Sequence, residues 1–326
     1  MQDTKTVIRL KKESTTVSHS FTKEVSEQTT CVVVENASDS FYAKGWFNYK
    51  PFSSKDGINW ERTDTGIFDG KSFSFNVNKA DRFISWYVPY AKENFDNLLS
   101  KVNLDIIGAE IGSTKAGLPY ISIGDTSKDC LVLMARQHPG ETMSSFFLDG
   151  VIKYLSSLNK ESFKKKSFLI IPFVNLEGVE NSTHRYDCLG VDYNRSRNKS
   201  HLVIEQVLAL IKSVNCSMVL DIHGDEVSKN NYIMYEGKLS DNAKSYLSAF
   251  AKCDFLVLKA QSFFKRFVKN IIRNKKIIFP KGKSSARQYL TSLNINSLTI
   301  EISAHKSDHL ESERLGYDFM RLVIQK

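Results

Sequence analysis

The sequence predicts an α/β protein in which a small antiparallel β-sandwich domain precedes a layered domain of strands and helices. Up to about residue 95, short alternating or aromatic-rich segments are separated by Asn, Asp, Gly and Ser turns, a pattern typical of a small sandwich. From Glu93 onward, strand-length apolar runs alternate with helical stretches, as in layered α/β domains. A length of 326 residues also favours about two domains. We therefore expect one domain over residues 1–98 and a second over residues 99–326.

Individual strands and helices are predicted from segments of each domain. In the first domain, the predicted strand segments are residues 30–34, 41–49, 72–77 and 83–88. The Trp and Tyr residues among them indicate a core of short strands, or alternatively a binding surface. In the second domain, the predicted strands are residues 131–135, 218–222 and 297–301, and the predicted helices are residues 144–158, 202–212, 243–252 and 311–324.

The most informative motif is His138-Pro139-Gly140-Glu141, which is followed 82 residues after Glu141 by His223. An imidazole and a carboxylate three residues apart can turn toward one cation, and a second imidazole from a distant strand makes three ligands. Thr142 rather than histidine follows Glu141, so this is not the helical two-histidine zinc signature. The alternative is a surface turn that caps the next helix.

The surroundings of this motif favour a site. The quartet lies in a strand-to-helix turn, and His223-Gly224 follows the apolar run 218–222. Both ligand sets therefore leave the carboxyl ends of apolar strands, the rim where ligands bind in open α/β sheets. Three protein ligands leave the fourth zinc position open, which is typical of a catalytic site.

Six further short motifs lie before, between and after these residues. They are residues 57–60, 86–90, 175–179, 184–185, 191–195 and 297–301. With these motifs in order, the chain resembles, over essentially its whole length, a zinc carboxypeptidase of the cytosolic carboxypeptidase type, one of the funnelin metallopeptidases. The resemblance implies a mixed-sheet zinc carboxypeptidase domain flanked by helices, behind the small β-sandwich domain. It also implies one Zn²⁺ per chain and removal of C-terminal residues from peptides or proteins.

The resemblance assigns roles residue by residue. It implies that the zinc ligands are His138, Glu141 and His223, that the general base is Glu301, that the clamp on the terminal carboxylate is Asn194 with Arg195, and that the residue polarising the scissile carbonyl is Arg185.

The chemistry of these residue types agrees with those roles. Glu301 ends a β-branched stretch and could pass a proton from water to a leaving amine. Arg195 has a planar fork that grips a carboxylate through two hydrogen bonds. Arg185 would place positive charge where an oxyanion develops. Asp221 could orient an imidazole. Taken singly, each of these residues could instead be an ordinary loop or strand-end residue.

The chain departs from the family pattern before Glu301. Many members have Gly-Thr-Gly-Arg there, whereas this chain has Ser284-Ser285-Ala286-Arg287, 14 residues ahead of Glu301. The arginine is kept and the glycines are not. The resemblance places the specificity residue of the side-chain pocket at this position, which implies that Arg287 binds the side chain of the removed residue and favours glutamate or aspartate. Tyr289 is too close to Glu301 to match the substrate-covering tyrosine of the pancreatic relatives.

Charge is concentrated in one region. The formal net charge is +9, and residues 259–287 contain ten Lys or Arg residues and no Asp or Glu. A surface of this kind attracts anionic partners. An acidic peptide tail is the partner that the resemblance favours. Nucleic acid is the less expected partner because no nucleic-acid-binding signature accompanies the segment. A solvated basic face is the remaining interpretation.

Composition favours a cytoplasmic enzyme that does not enter membranes. No apolar stretch approaches the roughly 20 residues of a membrane span, and the N-terminus lacks the apolar core of a signal peptide. The five cysteines are scattered, which indicates reduced residues that bind no metal.

Two other functions stay open at this level. One is a zinc amidohydrolase that acts on small N-acyl amino acids. The other is a catalytically silent binding module that docks a partner through the β domain and the basic face. The sequence leaves the natural substrate and the oligomeric state undecided.

Overall fold

The computed structural model describes residues 4–196, 201–236, 239–259 and 285–325. The strands of its first part are β1 (Thr4–Ile8), β2 (Lys12–Glu13), β3 (Thr16–Val17), β4 (Thr22–Glu24), β5 (Thr29–Val34), β6 (Phe52–Ser54), β7 (Trp60–Arg62), β8 (Ile67–Phe68), β9 (Phe73–Asn76) and β10 (Phe83–Ser85). They form two four-stranded sheets, ordered β1-β5-β9-β8 and β4-β10-β6-β7, and a β2-β3 pair. The predicted small β domain is confirmed.

One strand pair of this domain is not antiparallel. β1 runs parallel to β5, whereas every other pair in the two sheets is antiparallel. A parallel pair needs a long connection, and here the chain passes through β2, β3 and β4 between the two strands. The two sheets share one apolar core, to which Val32, Phe73 and Ile84 contribute fully buried side chains.

The strand predicted over residues 41–49 is wrong. The chain instead forms a short 3₁₀ helix at Ala43–Trp46. Trp46 and Tyr49 are both fully buried, and their spacing of three residues matches a 3₁₀ turn rather than a strand. A Cβ added at Gly45 would lie 2.7 Å from the carbonyl oxygen of Glu226, so this segment packs directly against the second part of the protein.

The second part is a mixed sheet flanked by helices, as predicted. Its strands are β11 (Ala109–Ser113), β12 (Pro119–Ile123), β13 (Cys130–Ala135), β14 (Ser167–Ile171), β15 (Cys216–Asp225), β16 (Tyr232–Tyr235), β17 (Leu256–Lys259) and β18 (Ser297–Ser303). The order across the sheet is β11-β12-β14-β13-β15-β18-β16-β17. The four central strands, β14, β13, β15 and β18, are parallel to one another.

Helices cover both faces of this sheet. They are α1 (Lys92–Lys101), α2 (Met143–Ser156), α3 (Leu176–Glu180), α4 (Leu202–Lys212), α5 (Asp241–Lys252), α6 (Ala286–Ser292) and α7 (His309–Ile324). Alternate residues of β13 belong to two separate apolar clusters: Leu131 and Leu133 share one with α2, α5 and α7, and Val132 shares the other with α4 and α6. Period-two alternation between two covered faces explains why the central strands read as continuous apolar runs.

Two predicted strands are longer than expected. β15 runs past residue 222 to Asp225, and β18 runs past Glu301 to Ser303. His223 and Glu301 therefore lie inside their strands, close to the carboxyl ends.

Three other expectations concern the domain boundary, the basic segment and membrane-spanning helices. The proposed division at residue 98 falls inside α1 and stays a prediction. Most of the basic segment 259–287, including Ser284, lies outside the described residues. Among the helices of the described ranges, none combines the length and apolar character needed to cross a bilayer.

Candidate metal centre and its cavity

The three predicted ligands lie together at the carboxyl ends of adjacent strands. His138 and Glu141 belong to the turn between β13 and α2, and His223 belongs to the neighbouring β15. His138 Nδ1 is 2.6 Å from Glu141 Oε1, and His223 Nδ1 is 2.8 Å from Glu141 Oε2. The three side chains are buried, and one ligand-type atom from each lies within 4.8 Å of the others. Two imidazole nitrogens and a carboxylate are a donor set that suits zinc.

The second nitrogen of each imidazole also meets a carboxylate. His138 Nε2 is 3.2 Å from Asp192 Oδ1, and His223 Nε2 is 3.2 Å from Asp221 Oδ1. Gln137 Nε2 donates to the same Asp221 oxygen at 2.5 Å. Such outer carboxylates fix the tautomer and orientation of metal-binding histidines. Both rings are therefore held with Nδ1 toward Glu141, so that the two nitrogens and the carboxylate face one point.

The charged groups of the cluster act on one another. Burial opposes ionisation of Glu141, but His138 and His223 outweigh burial and hold the pKa of this carboxyl well below its ordinary value. Burial likewise opposes a charged His223, but Asp221 and Glu141 outweigh it and raise the pKa of this imidazole well above its ordinary value. Both shifts arise because the carboxylates and imidazoles of this buried cluster stabilise each other's charged forms.

A buried arginine shapes the turn that carries the ligands. Arg136 follows β13 with a φ of 58°, a left-handed conformation that costs a non-glycine residue about 1–3 kcal/mol. Its Nε donates to Pro139 O at 2.8 Å, and its Nη1 donates to Tyr90 O at 3.1 Å and to Ser145 Oγ at 2.9 Å. These bonds offset the backbone cost and fix the course of the chain at His138.

Glu301 stands beside the cluster on β18. It is the register partner of His223 in β15. Burial raises the pKa of its carboxyl well above the ordinary value; His223 opposes this shift, and Glu141, Asp225 and Glu226 add to it. A glutamate whose pKa is raised toward neutrality can both accept and return a proton.

Arg185 reaches the same centre from the loop after α3. Its Nε and Nη2 both lie 2.8 Å from Asp192 Oδ2. Since the other Asp192 oxygen contacts His138, Asp192 connects the guanidinium to a predicted metal ligand. Arg185 Nη1 donates to the hydroxyl of Tyr42 at 2.7 Å.

Asn194 and Arg195 lie nearby but differ in how they are held. Asn194 Oδ1 accepts from the backbone N–H of Ala286 at 2.8 Å, and its Nδ2 is 3.4 Å from His223 Nε2. Asn194 therefore spans from the start of α6 to the metal centre. Arg195 is half-buried and donates to the carbonyl oxygen of Asn194 at 2.9 Å. Their predicted role as carboxylate clamp stays a prediction.

Arg287 is buried in α6, with a carboxylate partner. Its Nη2 is 3.3 Å from Glu236 Oε1. Its Nε and Nη1 are buried and have no hydrogen-bond partner among the described residues. Two unsatisfied guanidinium donors are unusual inside a protein. A bound carboxylate would satisfy them.

A cavity of about 560 Å³ opens beside Asp192, whose carboxylate contacts His138. Arg185, Asp192 and Arg195 line it from the second part of the protein, and Phe41 and Tyr42 line it from the first. It is large enough for an amino-acid side chain with neighbouring backbone.

Sequence reasoning gave no role to several residues of this site. Arg136 and Gln137 directly precede His138, and Asp192 lies two residues before Asn194. His184 is also part of the surroundings: its Nε2 is 3.1 Å from Glu226 Oε1, and a Cβ at Gly140 would lie 2.4 Å from its Nδ1. The available signal was adjacency, because each of these polar residues stands close in sequence to a predicted site residue.

Comparison with known proteins agrees with this geometry. Residues 10–88 match the family described as cytosolic carboxypeptidase N-terminal domain. An uncharacterized protein from Zymomonas mobilis is 28% identical over 230 residues, 63% of this chain and 58% of that protein. Cytosolic carboxypeptidase 1 from Gallus gallus is 31% identical over 139 residues, 39% of this chain and 11% of that protein. The chain therefore spans well under two thirds of the length of these relatives.

The fold has a full-length counterpart among solved structures. A metallo-carboxypeptidase from Pseudomonas aeruginosa, solved in complex with (2-guanidinoethylmercapto)succinic acid, superposes with a TM-score of 0.81 at 20% identity, covering 99% of this chain and 94% of that one. The chain is thus similar in sequence to the cytosolic carboxypeptidases, with residues 10–88 matching their N-terminal domain, and its described residues have the fold of a metallo-carboxypeptidase.

Proposed function

We propose that the protein is a zinc-dependent carboxypeptidase that removes C-terminal residues from peptides or proteins. The observation that carries the proposal is the position of Glu301 beside the His138–Glu141–His223 cluster, to which Asp192 connects Arg185. A general base, a metal-type donor set and a guanidinium held at that donor set are parts that hydrolysis of a peptide bond needs.

The roles of the residues follow from their chemistry. Zinc held by His138, Glu141 and His223 supplies Lewis acidity, which acidifies water and polarises a carbonyl group. Glu301 takes a proton from the attacking water and returns it to the leaving amine. Arg185 stabilises the negative charge that develops on the carbonyl oxygen.

Recognition of the chain end is assigned to the other cation of the cavity. Arg195 grips the terminal carboxylate, and the amide of Asn194 assists it. A free C-terminus is thereby distinguished from an internal peptide bond, which has no carboxylate to pair with Arg195. This part of the proposal makes the enzyme an exopeptidase.

The proposed substrate is an acidic tail that ends in glutamate or aspartate. Two buried donors of Arg287 have no partner among the residues that the structure describes, which supports a pocket for a carboxylate side chain. The basic segment 259–287 would add attraction for further acidic residues of the tail, screened at high salt. The proposed location is the cytoplasm, as the name of the family matched by residues 10–88 suggests.

The test compares substrates of different size. The purified, zinc-loaded protein is incubated with a hexapeptide ending in Glu-Glu and with N-acetylglutamate, with and without a chelator, beside its Glu301→Gln variant. We expect release of glutamate from the peptide that chelator and Glu301→Gln both abolish. Faster hydrolysis of N-acetylglutamate would favour the amidohydrolase alternative, and no hydrolysis of either would favour a silent binding module.

A further inference from the structure

The aromatic residues of the first domain divide into two groups. Trp46, Tyr49 and Trp86 are fully buried and form the domain core. Phe41 and Tyr42 are not part of this core: Phe41 is 42% exposed, and both line the 560 Å³ cavity beside Asp192. The prediction of an aromatic core is thus correct for the first group, and the second group faces a cavity that Arg185 and Arg195 also line.

Tyr42 and Phe41 both contact Arg185. Arg185 Nη1 donates to the Tyr42 hydroxyl at 2.7 Å, and the guanidinium carbon lies 4.6 Å from the centre of the Phe41 ring. A guanidinium at this distance from an aromatic face is held by a cation–π interaction. The first domain therefore holds Arg185 on one side, and Asp192 holds it on the other.

The direction of the Tyr42 hydrogen bond leaves a proton available. A guanidinium has donors and no acceptor, so the hydroxyl oxygen of Tyr42 is the acceptor in this bond. The hydroxyl proton is not used by it, and among the described residues the Tyr42 hydroxyl has no second hydrogen-bond partner. Burial raises the pKa of Tyr42; Arg185 opposes this shift, and Glu226, Glu141 and Glu301 add to it. Tyr42 therefore keeps its proton at neutral pH.

We propose that Tyr42 is a substrate-binding residue whose hydroxyl donates, together with Arg185, to the carbonyl oxygen of the peptide bond that is cleaved. This inference rests on the proposed carboxypeptidase function and deepens it. Because Arg185 Nη1 and the Tyr42 oxygen are 2.7 Å apart, one carbonyl oxygen can accept from both groups at ordinary hydrogen-bond distances. The first domain is then part of the active site, not a separate docking module.

A donor aimed at this oxygen acts most strongly when negative charge develops there. Tyr42→Phe keeps the ring and removes only the hydroxyl. We expect kcat/KM for a glutamate-ended hexapeptide to fall about three- to tenfold, the effect of one net hydrogen bond. The Ki of a peptide phosphonate, whose tetrahedral phosphorus replaces the scissile carbonyl carbon, should rise by the same factor. Peptide affinity measured in the inactive Glu301→Gln protein should change less than about twofold when Tyr42→Phe is added.

Two further proteins make the result decisive. Tyr317→Phe removes a hydroxyl from a partly exposed tyrosine of α7 and should leave turnover unchanged. In an Arg185→Lys background, a tyrosine that donates directly to substrate still loses phosphonate affinity on conversion to Phe, whereas one that only holds the guanidinium does not.

The outcomes separate this inference from the proposed function. If wild type cleaves peptides and Tyr42→Phe matches it in kcat/KM and in phosphonate Ki, the role of Tyr42 is wrong and the carboxypeptidase proposal stands. The same conclusion follows if the effect vanishes in the Arg185→Lys background. If zinc-loaded wild type cleaves no peptide, both proposals fail.

Discussion

His223 and Glu301 are direct register partners on the parallel strands β15 and β18. Register partners in a sheet project their side chains to the same face, so a proposed metal ligand and the proposed general base are neighbours by strand pairing alone. No loop has to close to bring them together. The geometry is therefore as rigid as the central sheet, whose apolar side chains are buried on both faces.

If Glu301 is the general base, its substitution should affect turnover and leave zinc and peptide binding unchanged. Glu301→Gln should lower kcat for peptide hydrolysis by about 10²–10⁴-fold, the usual effect of losing a general acid–base group. The substitution keeps the size of the side chain, so zinc content and peptide affinity should stay near wild type. Glu110→Gln, a change of an exposed glutamate on β11, is the matched control. Near-normal turnover of Glu301→Gln would remove this residue from the mechanism.

The two outer carboxylates should behave differently when each is neutralised. Asp221→Asn should weaken zinc binding by about 10–100-fold, because the carboxylate orients His223. Asp192→Asn should weaken zinc binding similarly and also lower kcat in zinc-saturated protein, because Asp192 holds Arg185 as well as His138.

Competition with a fluorescent zinc chelator and kinetics at saturating zinc measure the two effects of these aspartate variants separately. His223→Ala serves as the reference for loss of a ligand. Equal effects of Asp192→Asn and Asp221→Asn on zinc-saturated turnover would contradict the link through Arg185.

The ion pair between Arg287 and Glu236 predicts that substituting one or the other residue changes the preference for C-terminal glutamate in opposite directions. Arg287→Ala should remove a roughly ten- to hundredfold preference for peptides ending in Glu over Gln, since a charge-assisted contact contributes about 1.5–3 kcal/mol. Glu236→Gln should strengthen that preference, because Glu236 competes with substrate for the same guanidinium at 3.3 Å. Values of kcat/KM for matched peptides ending in Glu, Gln, Leu and Lys give the ranking. An unchanged ranking in both variants would end the acidic-pocket proposal.

A buried aspartate of α2 predicts how stability depends on pH. Burial raises the pKa of Asp149 to about 7, although a hydrogen bond from Tyr90 at 2.6 Å opposes the shift. In the unfolded chain this pKa is about 3.9, so the native state binds the proton more tightly. The stabilisation by protonated Asp149 is full below about pH 4 and is lost as the pH rises to about 7.

Asp149→Asn should therefore gain stability over wild type as the pH rises from 4 to 8, by no more than about 4 kcal/mol. Urea unfolding at several pH values and equal zinc measures the difference, with the exposed Asp64→Asn as control. A difference that does not change with pH would show that Asp149 is ionised in the native state.

The sequence could predict what depends on local patterns. Runs of apolar residues located β13, β15 and β18, and polar residues at their ends located the proposed ligands and Glu301. Strand ends were less predictable, because β15 and β18 continue for as long as neighbouring strands pair with them, and pairing is not a local property. The 3₁₀ helix at Ala43–Trp46 was missed for a related reason, since its Gly45 contacts Glu226 across the interface.

Contacts between distant segments could not be predicted from the sequence. Nothing near Tyr42 indicates that its hydroxyl meets Arg185, 143 positions away. Likewise, the pairing of Glu236 with Arg287 depends on how α6 packs beside the end of β16. The predicted residue types were sufficient for the chemistry of the site, and the fold was needed to see which side chains already have partners.

The central claim is that a zinc-dependent enzyme recognises a free C-terminal carboxylate. It is tested most directly with one glutamate-ended peptide prepared as the free acid and as the C-terminal amide, each incubated with wild-type protein and followed by mass spectrometry. The account predicts stepwise loss of C-terminal residues from the free acid, little or no cleavage of the amide, arrest by chelator and recovery on adding zinc. Equal cleavage of the two peptides, or cleavage that persists after zinc is removed, would contradict it.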